Sequence, residues 1–166
     1  MKSLKEQLEI IKRGVVDLIS EEELILKLKK SIDNDKPLTI KWGIDPTAAD
    51  VHLGNTVSIN KLKHFQDLGH HVVIIIGNYT ATVGDPSGRI STRPQLSIDE
   101  VMKNAKYYQD QIFRILNKSK TRVVYNGDWF SKLNFNDIVK LVSKITVASL
   151  LEHDYFAERY KKGIPI

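Results

Sequence analysis

Apolar residues return every three or four positions through the first part of the chain. Leu4, Leu8 and Ile11 mark one face of a helix, and Gly14 ends the pattern. Ser20-Glu21-Glu22-Glu23 has the form of a capping box, which predicts a second helix running through Ile32. Asn34-Asp35-Lys36-Pro37 is a turn. Residues 38–42 are a strand candidate, and a helix is expected over 54–69, with Gly69 as its C′ residue. Val72-Val73-Ile74-Ile75-Ile76 is an unbroken β-branched run, suited to a central parallel strand covered on both faces. Residues 78–95 contain Gly84, Pro86 and Gly88 and read as a loop. Ser97-Ile98-Asp99-Glu100 is another capping box, opening a helix expected to reach about Asn117. A short strand over 122–125, a helix near 136–143 and a last helix from Thr146 to Gly163 complete the pattern, with Lys161 and Lys162 complementing the final dipole. Strands alternating with helices predict an α/β fold with a parallel, doubly wound sheet.

That prediction gives the turns their interest. The stretch from Gly43 to Asn55, Gly-Ile-Asp-Pro-Thr-Ala-Ala-Asp-Val-His-Leu-Gly-Asn, ends one strand and opens a helix. Backbone N–H groups at a helix start lack intrahelical partners and the macrodipole favours negative charge, so phosphates are held well there. Thr47 can donate its hydroxyl to a phosphate oxygen, and His52 a ring N–H, more strongly as charge grows in a transition state. Gly54 leaves room for a flat base on the backbone, and Asn55 can bond a ribose or phosphate oxygen. Gly84-Asp85-Pro86-Ser87-Gly88 follows the second strand; alone it reads as a tight turn, but beside the first stretch Asp85 is a candidate for an ammonium group, with Thr80 at the same strand end. Asn126-Gly127-Asp128-Trp129 follows the third strand, as a plain turn or as a pocket wall at the sheet's carboxyl end. Lys61, Lys63 and His64 read as the solvated face of the third helix.

Composition bounds this picture. The 166 residues are enough for one domain with a real core. No apolar run is long enough for a membrane helix, and the N-terminus lacks an apolar signal core. With no cysteine there is no disulfide framework and no Cys-based metal site, and a cytosolic location is favoured. A net charge of +5 permits a polyanionic partner without demanding one.

These residues resemble the N-terminal part of bacterial tyrosyl-tRNA synthetases, over about 38–166. The resemblance rests on Gly43-x-Asp45-Pro46-Thr47-Ala48, on His52-Leu53-Gly54-Asn55 as a form of the class I HIGH motif, and on Gly84-Asp85-Pro86-Ser87-Gly88. Thr92-Arg93-Pro94, Thr146-Val147-Ala148 and Gly163-Ile164-Pro165-Ile166 are similar to one bacterial subgroup. It implies a Rossmann-like parallel sheet, its first half only, over 37–130, preceded by a helical arm over 1–36 and followed over 131–166 by the helical start of a connecting insertion that forms a dimer interface. It implies activation of tyrosine by ATP, with Mg²⁺ held mainly by the ATP phosphates, and transfer of tyrosyl to tRNA(Tyr) by a homodimer. Thr47, His52 and Asn55 would act in catalysis, Thr47 and His52 on the phosphates; Gly54 and Asn55 would support adenine and ribose, and Asp45 would sit near the α-phosphate. Thr80 and Asp85 would hold the tyrosine ammonium group, and Asn126 and Trp129 would line the amino-acid pocket.

Three departures stand out. Asn55 replaces the second His of the usual motif, and both side chains donate a hydrogen bond. Lys41 stands where better-known relatives carry a Tyr that meets the substrate phenol. The family's second half, with its Tyr, Gln and Asp recognition helix, its KMSKS loop and its anticodon-binding domain, is absent from these residues. The chain is therefore expected to be a fragment or the product of a truncated reading frame, holding half of a two-half site and inactive alone in aminoacylation. In such a fragment Val147, Leu150, Leu151 and Phe156 would be exposed. The rival readings are a tryptophanyl-tRNA synthetase, a small nucleotidylyltransferase with a HIGH-like motif, and a half-domain that binds RNA or the full-length enzyme without catalysis.

Overall fold

A computed structural model describes residues 1–83 and 96–164. The helical arm comprises α1 (Leu4–Lys12) and α2 (Glu21–Asp33). Then come β1 (Thr39–Ile44), α3 (Leu53–Asp67), β2 (His71–Ile76), α4 (Thr80–Val83), α5 (Ile98–Ile112) and β3 (Thr121–Tyr125). Four short helices follow: α6 (Gly127–Phe130), α7 (Phe135–Val142), α8 (Val147–Leu151) and α9 (Asp154–Lys161). Among the described residues the sheet has the order β1-β2-β3, all parallel, with Ile44 opposite Ile76 and Ile76 opposite Tyr125. The β-branched run is the central strand, and Val72, Ile74 and Ile76 are buried with Ile59, Leu62, Ala105, Tyr108 and Ile112 from α3 and α5. The carboxyl ends of all three strands therefore lie along one edge, where ligands meet sheets of this kind.

Local chemistry explains most boundaries. The Ser97 box closes in both directions, with Ser97 Oγ accepting the Glu100 N–H and Glu100 returning to Ser97 N–H. Ser20 accepts the Glu23 N–H, so it caps α2 through that bond. Gly69 and Gly163 take positive φ of 99° and 64°, the left-handed geometry that ends a helix without Cβ strain. Four expectations need correction. Residues 80–83 form one helical turn rather than loop; the rest of the expected loop, 84–95 with Asp85, lies outside the described residues. The helix opened by Ser97 stops at Ile112 with Phe113 as its C-cap, and Asn117 caps a separate tight turn into β3, its Oδ1 accepting from Ser119 N–H. The last helix is two, since Thr146 caps one and the chain restarts at His153. The turn after β3 coils into α6.

The arm is docked by polar as well as apolar contacts. Ile11, Leu28 and Leu68 form a small core with Leu8, Leu24 and Phe65 around it. Lys61 does not lie on a solvated face: its ammonium donates to the carbonyls of Ile11 (2.7 Å) and Arg13 (2.5 Å), at the orphan end of α1, and partial burial holds its pKa below the ordinary lysine value. His64 likewise has a buried Nδ1 with no hydrogen-bond partner among the described residues, while Lys63 pairs with Asp67.

Fully buried His70 ties the arm to the start of the sheet. Its Nδ1 accepts from Leu38 N–H (3.1 Å) and its Nε2 bonds Gln7 Oε1 (2.9 Å), so the proton sits on Nε2. Burial, with the neighbouring His71 charge second, lowers its pKa. The unfolded chain therefore takes up a proton that the folded protein refuses, and folding stability falls as pH drops below about 6.5. The loss is at most about 1.4 kcal/mol per pH unit for one group, and His70→Gln is expected to flatten the slope of urea unfolding between pH 7.5 and 5. An unchanged slope in that variant rules His70 out as its source.

Candidate functional site

Three strand ends build the site. Each ladder runs one residue past its strand: Gly77 N–H donates to Ile44 O and Asn126 N–H to Ile76 O, both at 2.9 Å. Asp45, Gly77 and Asn126 are thereby set side by side. A chain of side-chain bonds crosses them. The Thr80 hydroxyl donates to Asp45 Oδ1 (2.8 Å) and accepts from Asn126 Nδ2 (2.9 Å), and Asn126 Oδ1 accepts the Tyr79 N–H (2.9 Å). Each partner's role fixes the next, so Asn126, only 6% exposed, has both ends of its amide engaged and a single orientation. Gly77 makes this possible. A Cβ there would overlap Asp45 Oδ1 and Thr80 Oγ1 and stand 2.9 Å from Asp45 Cγ.

Over these strand ends lies a cleft of about 470 Å³. Trp42, Gly43, Ile44, Asp45, Asn55, Ser58, Ile75, Gly77 and Asn126 line it, and the size suits a small-molecule ligand. Its far wall is the start of α3. His52 is the N-cap, and its N–H donates to Asn55 Oδ1 (3.2 Å), half of a capping box. This gives the Asn in the fourth motif position a local duty: its oxygen closes the helix start. A Cβ on Gly54 would stand 2.9 Å from His52 Cε1, so the imidazole occupies the ground over Gly54.

Of the residues singled out from sequence, Asp45, Asn55 and Asn126 line the cleft, and Thr80 stands behind them bonded to two of the three. Thr47 follows Asp45, its N–H donating to Asp45 O at 2.9 Å, and His52 and Gly54 follow on the loop and helix start. Trp129 is not among the lining residues; it is 41% exposed on α6, its ring against Phe130 at 5.9 Å between centroids. Lys41 is exposed on β1, on the same strand face as Gly43, which borders the cleft. Asp85 is outside the described residues. Sequence reading passed over Gly77, Trp42 and Ser58. For Gly77 a signal existed: a glycine directly after a buried strand marks a close approach.

A parallel sheet whose strand ends frame a cleft beside an anion-ready helix start defines a Rossmann-like nucleotide-binding fold. Residues 33–166 match the family model of class I tRNA synthetases (W and Y), and the chain belongs to that family. It is 59% identical to the tyrosine–tRNA ligase of Carboxydothermus hydrogenoformans over 98% of its length, and 52% identical to that of Thermotoga maritima, also over 98%. The chain spans about 40% of the first of these relatives and 39% of the second. Among solved structures it resembles a C-terminally truncated mitochondrial tyrosyl-tRNA synthetase from Aspergillus nidulans, with TM-score 0.74 at 22% identity, covering 100% of this chain and 49% of that one. It also resembles an Archaeoglobus fulgidus tyrosyl-tRNA synthetase complexed with L-tyrosine, with TM-score 0.67 at 17% identity, covering 87% of this chain and 41% of that one. At these identities the two structures speak for the fold. No helix among the described residues is long and apolar enough to cross a membrane.

Proposed function

We propose that this chain supplies the N-terminal part of a tyrosine-activating site in a cytosolic, homodimeric tyrosine–tRNA ligase. In the first step a tyrosine carboxylate oxygen attacks the α-phosphorus of ATP, the bond to the β-phosphate oxygen breaks, and pyrophosphate leaves. In the second, a ribose hydroxyl of tRNA(Tyr) attacks the tyrosyl carbonyl and AMP leaves. No protein nucleophile is needed, so the work is placement and charge stabilisation. Thr47 and His52 hold the phosphates as charge builds, aided by the N–H groups that open α3. Asn55 serves the adenosine, and Asp45 sits by the α-phosphate. Thr80 and Asp85 hold the ammonium group, and Asn126 borders the amino acid. Mg²⁺ would be held mainly by the ATP phosphate oxygens and would neutralise their charge; Asp45 Oδ1 is already engaged by Thr80.

The observation that carries this reading is the Asp45–Thr80–Asn126 bond chain across three strand ends, beside the α3 N-terminus. Relatives that are 52–59% identical and named for tyrosine support that substrate over tryptophan. The test is binding of ATP and of each amino acid to the chain, followed by ATP–pyrophosphate exchange. Tyrosine-selective binding or exchange is expected. Selectivity for tryptophan, exchange without any amino acid, or RNA binding with neither ATP nor tyrosine bound would each overturn it.

The dimer face in this proposal is the exposed apolar side of the described residues 131–164. Ile138, Leu141, Val142 and Ile145 recur at helical spacing and are 45–59% exposed, with Phe135 and Val147 beside them at 78% and 69%. Val147 agrees with the exposure expected from sequence, whereas Leu150, Leu151 and Phe156 are half-buried, because α8 and α9 fold against each other. Sedimentation is expected to give a dimer that Leu141→Asp returns to monomer.

A further inference from the structure

We infer that Gln111 on α5, with Asn104, positions the loop that delivers His52; the inference rests on the reading of that loop as the ATP-phosphate site. Residues 46–52 join β1 to α3. Ala48, Ala49 and Asp50 are exposed, while Pro46 is buried and the Val51 side chain packs against the main core. Side-chain hydrogen bonds from α5 add to that packing and hold the loop's backbone. Gln111 Oε1 accepts the Val51 N–H (3.0 Å), while its Nε2 donates to Asp50 Oδ1 (3.1 Å) and reaches the Ala49 carbonyl at 3.4 Å. Asn104 Nδ2 donates to the Pro46 carbonyl (3.2 Å). The two amides are seven residues apart, which is two turns on one helix face, so they take the loop near its beginning and its end.

The helix that carries them is a rigid anchor. Val101, Ala105, Tyr108 and Ile112 of α5 are buried, three of them in the main core. Val51 N–H, which Gln111 holds, belongs to the residue directly before His52. A phosphate site needs its donors aimed before the ligand arrives, since ordering a loop on binding subtracts from affinity. A neutral amide suits this duty. It supplies an acceptor and a donor at once and adds no negative charge beside a polyphosphate.

The role is tested by amide hydrogen exchange and ATP titration on the 166-residue chain. Gln111→Ala is expected to speed exchange at Val51 and His52 while Ile74 and Tyr108 keep their protection, and to weaken ATP binding roughly fivefold, the worth of about one hydrogen bond. Gln111→Glu keeps the acceptor but faces the Asp50 carboxylate, so it is expected to loosen the loop too. Adding Asp50→Asn to that variant restores a donor–acceptor match and is expected to recover both protection and affinity. A residue that merely filled space would not respond to this polarity swap. Unchanged exchange at Val51 and His52 in Gln111→Ala, or loosening with unaltered ATP affinity, overturns the inference. If the parent chain binds no ATP, the phosphate reading itself fails; the exchange arm still decides whether Gln111 orders the loop.

Discussion

In the proposed tyrosine-activating site, Gly77→Ala is expected to lower activation about a hundredfold and folding stability by about 1–3 kcal/mol. The substitution adds one methyl group at the end of the central strand. That methyl has no vacant ground to enter: it would overlap Asp45 Oδ1 and Thr80 Oγ1, and the backbone on which it stands is pinned by the ladder bond from Gly77 N–H to Ile44 O. Asp45 must therefore swing away. Thr80 then loses its acceptor, and Asn126, which bonds both Thr80 and the Tyr79 backbone, loses the neighbour that fixes its amide. A displacement of about an ångström at reacting groups is enough for the expected rate loss. Tyrosine-dependent pyrophosphate exchange and urea unfolding read the two effects separately. A variant that keeps full activity would show that the Asp45–Thr80–Asn126 chain is not needed for the chemistry.

If His52 holds the phosphates as proposed, His52→Ala is expected to reduce kcat for tyrosine activation by about 100- to 1,000-fold with little change in the KM for tyrosine. An imidazole N–H aimed at a phosphate gains most when negative charge has moved onto that oxygen, so its removal weighs on the transition state more than on bound ATP. Stability should stay within about 0.5 kcal/mol, because the side chain is exposed and the bond that closes the helix start comes from the His52 backbone N–H to Asn55. His52→Gln, which keeps a donor, should recover part of the rate. A raised KM with kcat intact would instead assign His52 to ground-state binding, and no change in either would remove it from the site.

Much of the framework was legible in the chain. The β-branched run over 72–76 could only be satisfied on both faces inside a sheet, and β2 is the central strand. Ser97 and Glu100, three residues apart, start α5 through bonds that are entirely local. Gly69 and Gly163 stop their helices for a reason contained in one residue, the freedom of a missing Cβ. The one-turn helices α4 and α6 were not legible, since four residues are too few to show a period. Lys61 read as a solvent-facing lysine because its partners, the carbonyls of Ile11 and Arg13, are 50 and 48 residues away.

The candidate site divides along the same line. Local chemistry along the chain sets which groups are present: a helix start at His52–Asn55, acids at Asp45 and Asp85, and polar residues after each strand, because caps, turns and donor types depend on a few adjacent residues. Long-range packing brings Thr80 to Asp45 across 35 residues and to Asn126 across 46, requires Gly77 to stay bare beneath them, and lets Gln111 hold Val51 from 60 residues away. Those meetings follow from parallel register, which lines up the carboxyl ends of β1, β2 and β3. Register is set by how the buried faces of strands and helices pack together, a property of the whole core that no local stretch of chain contains.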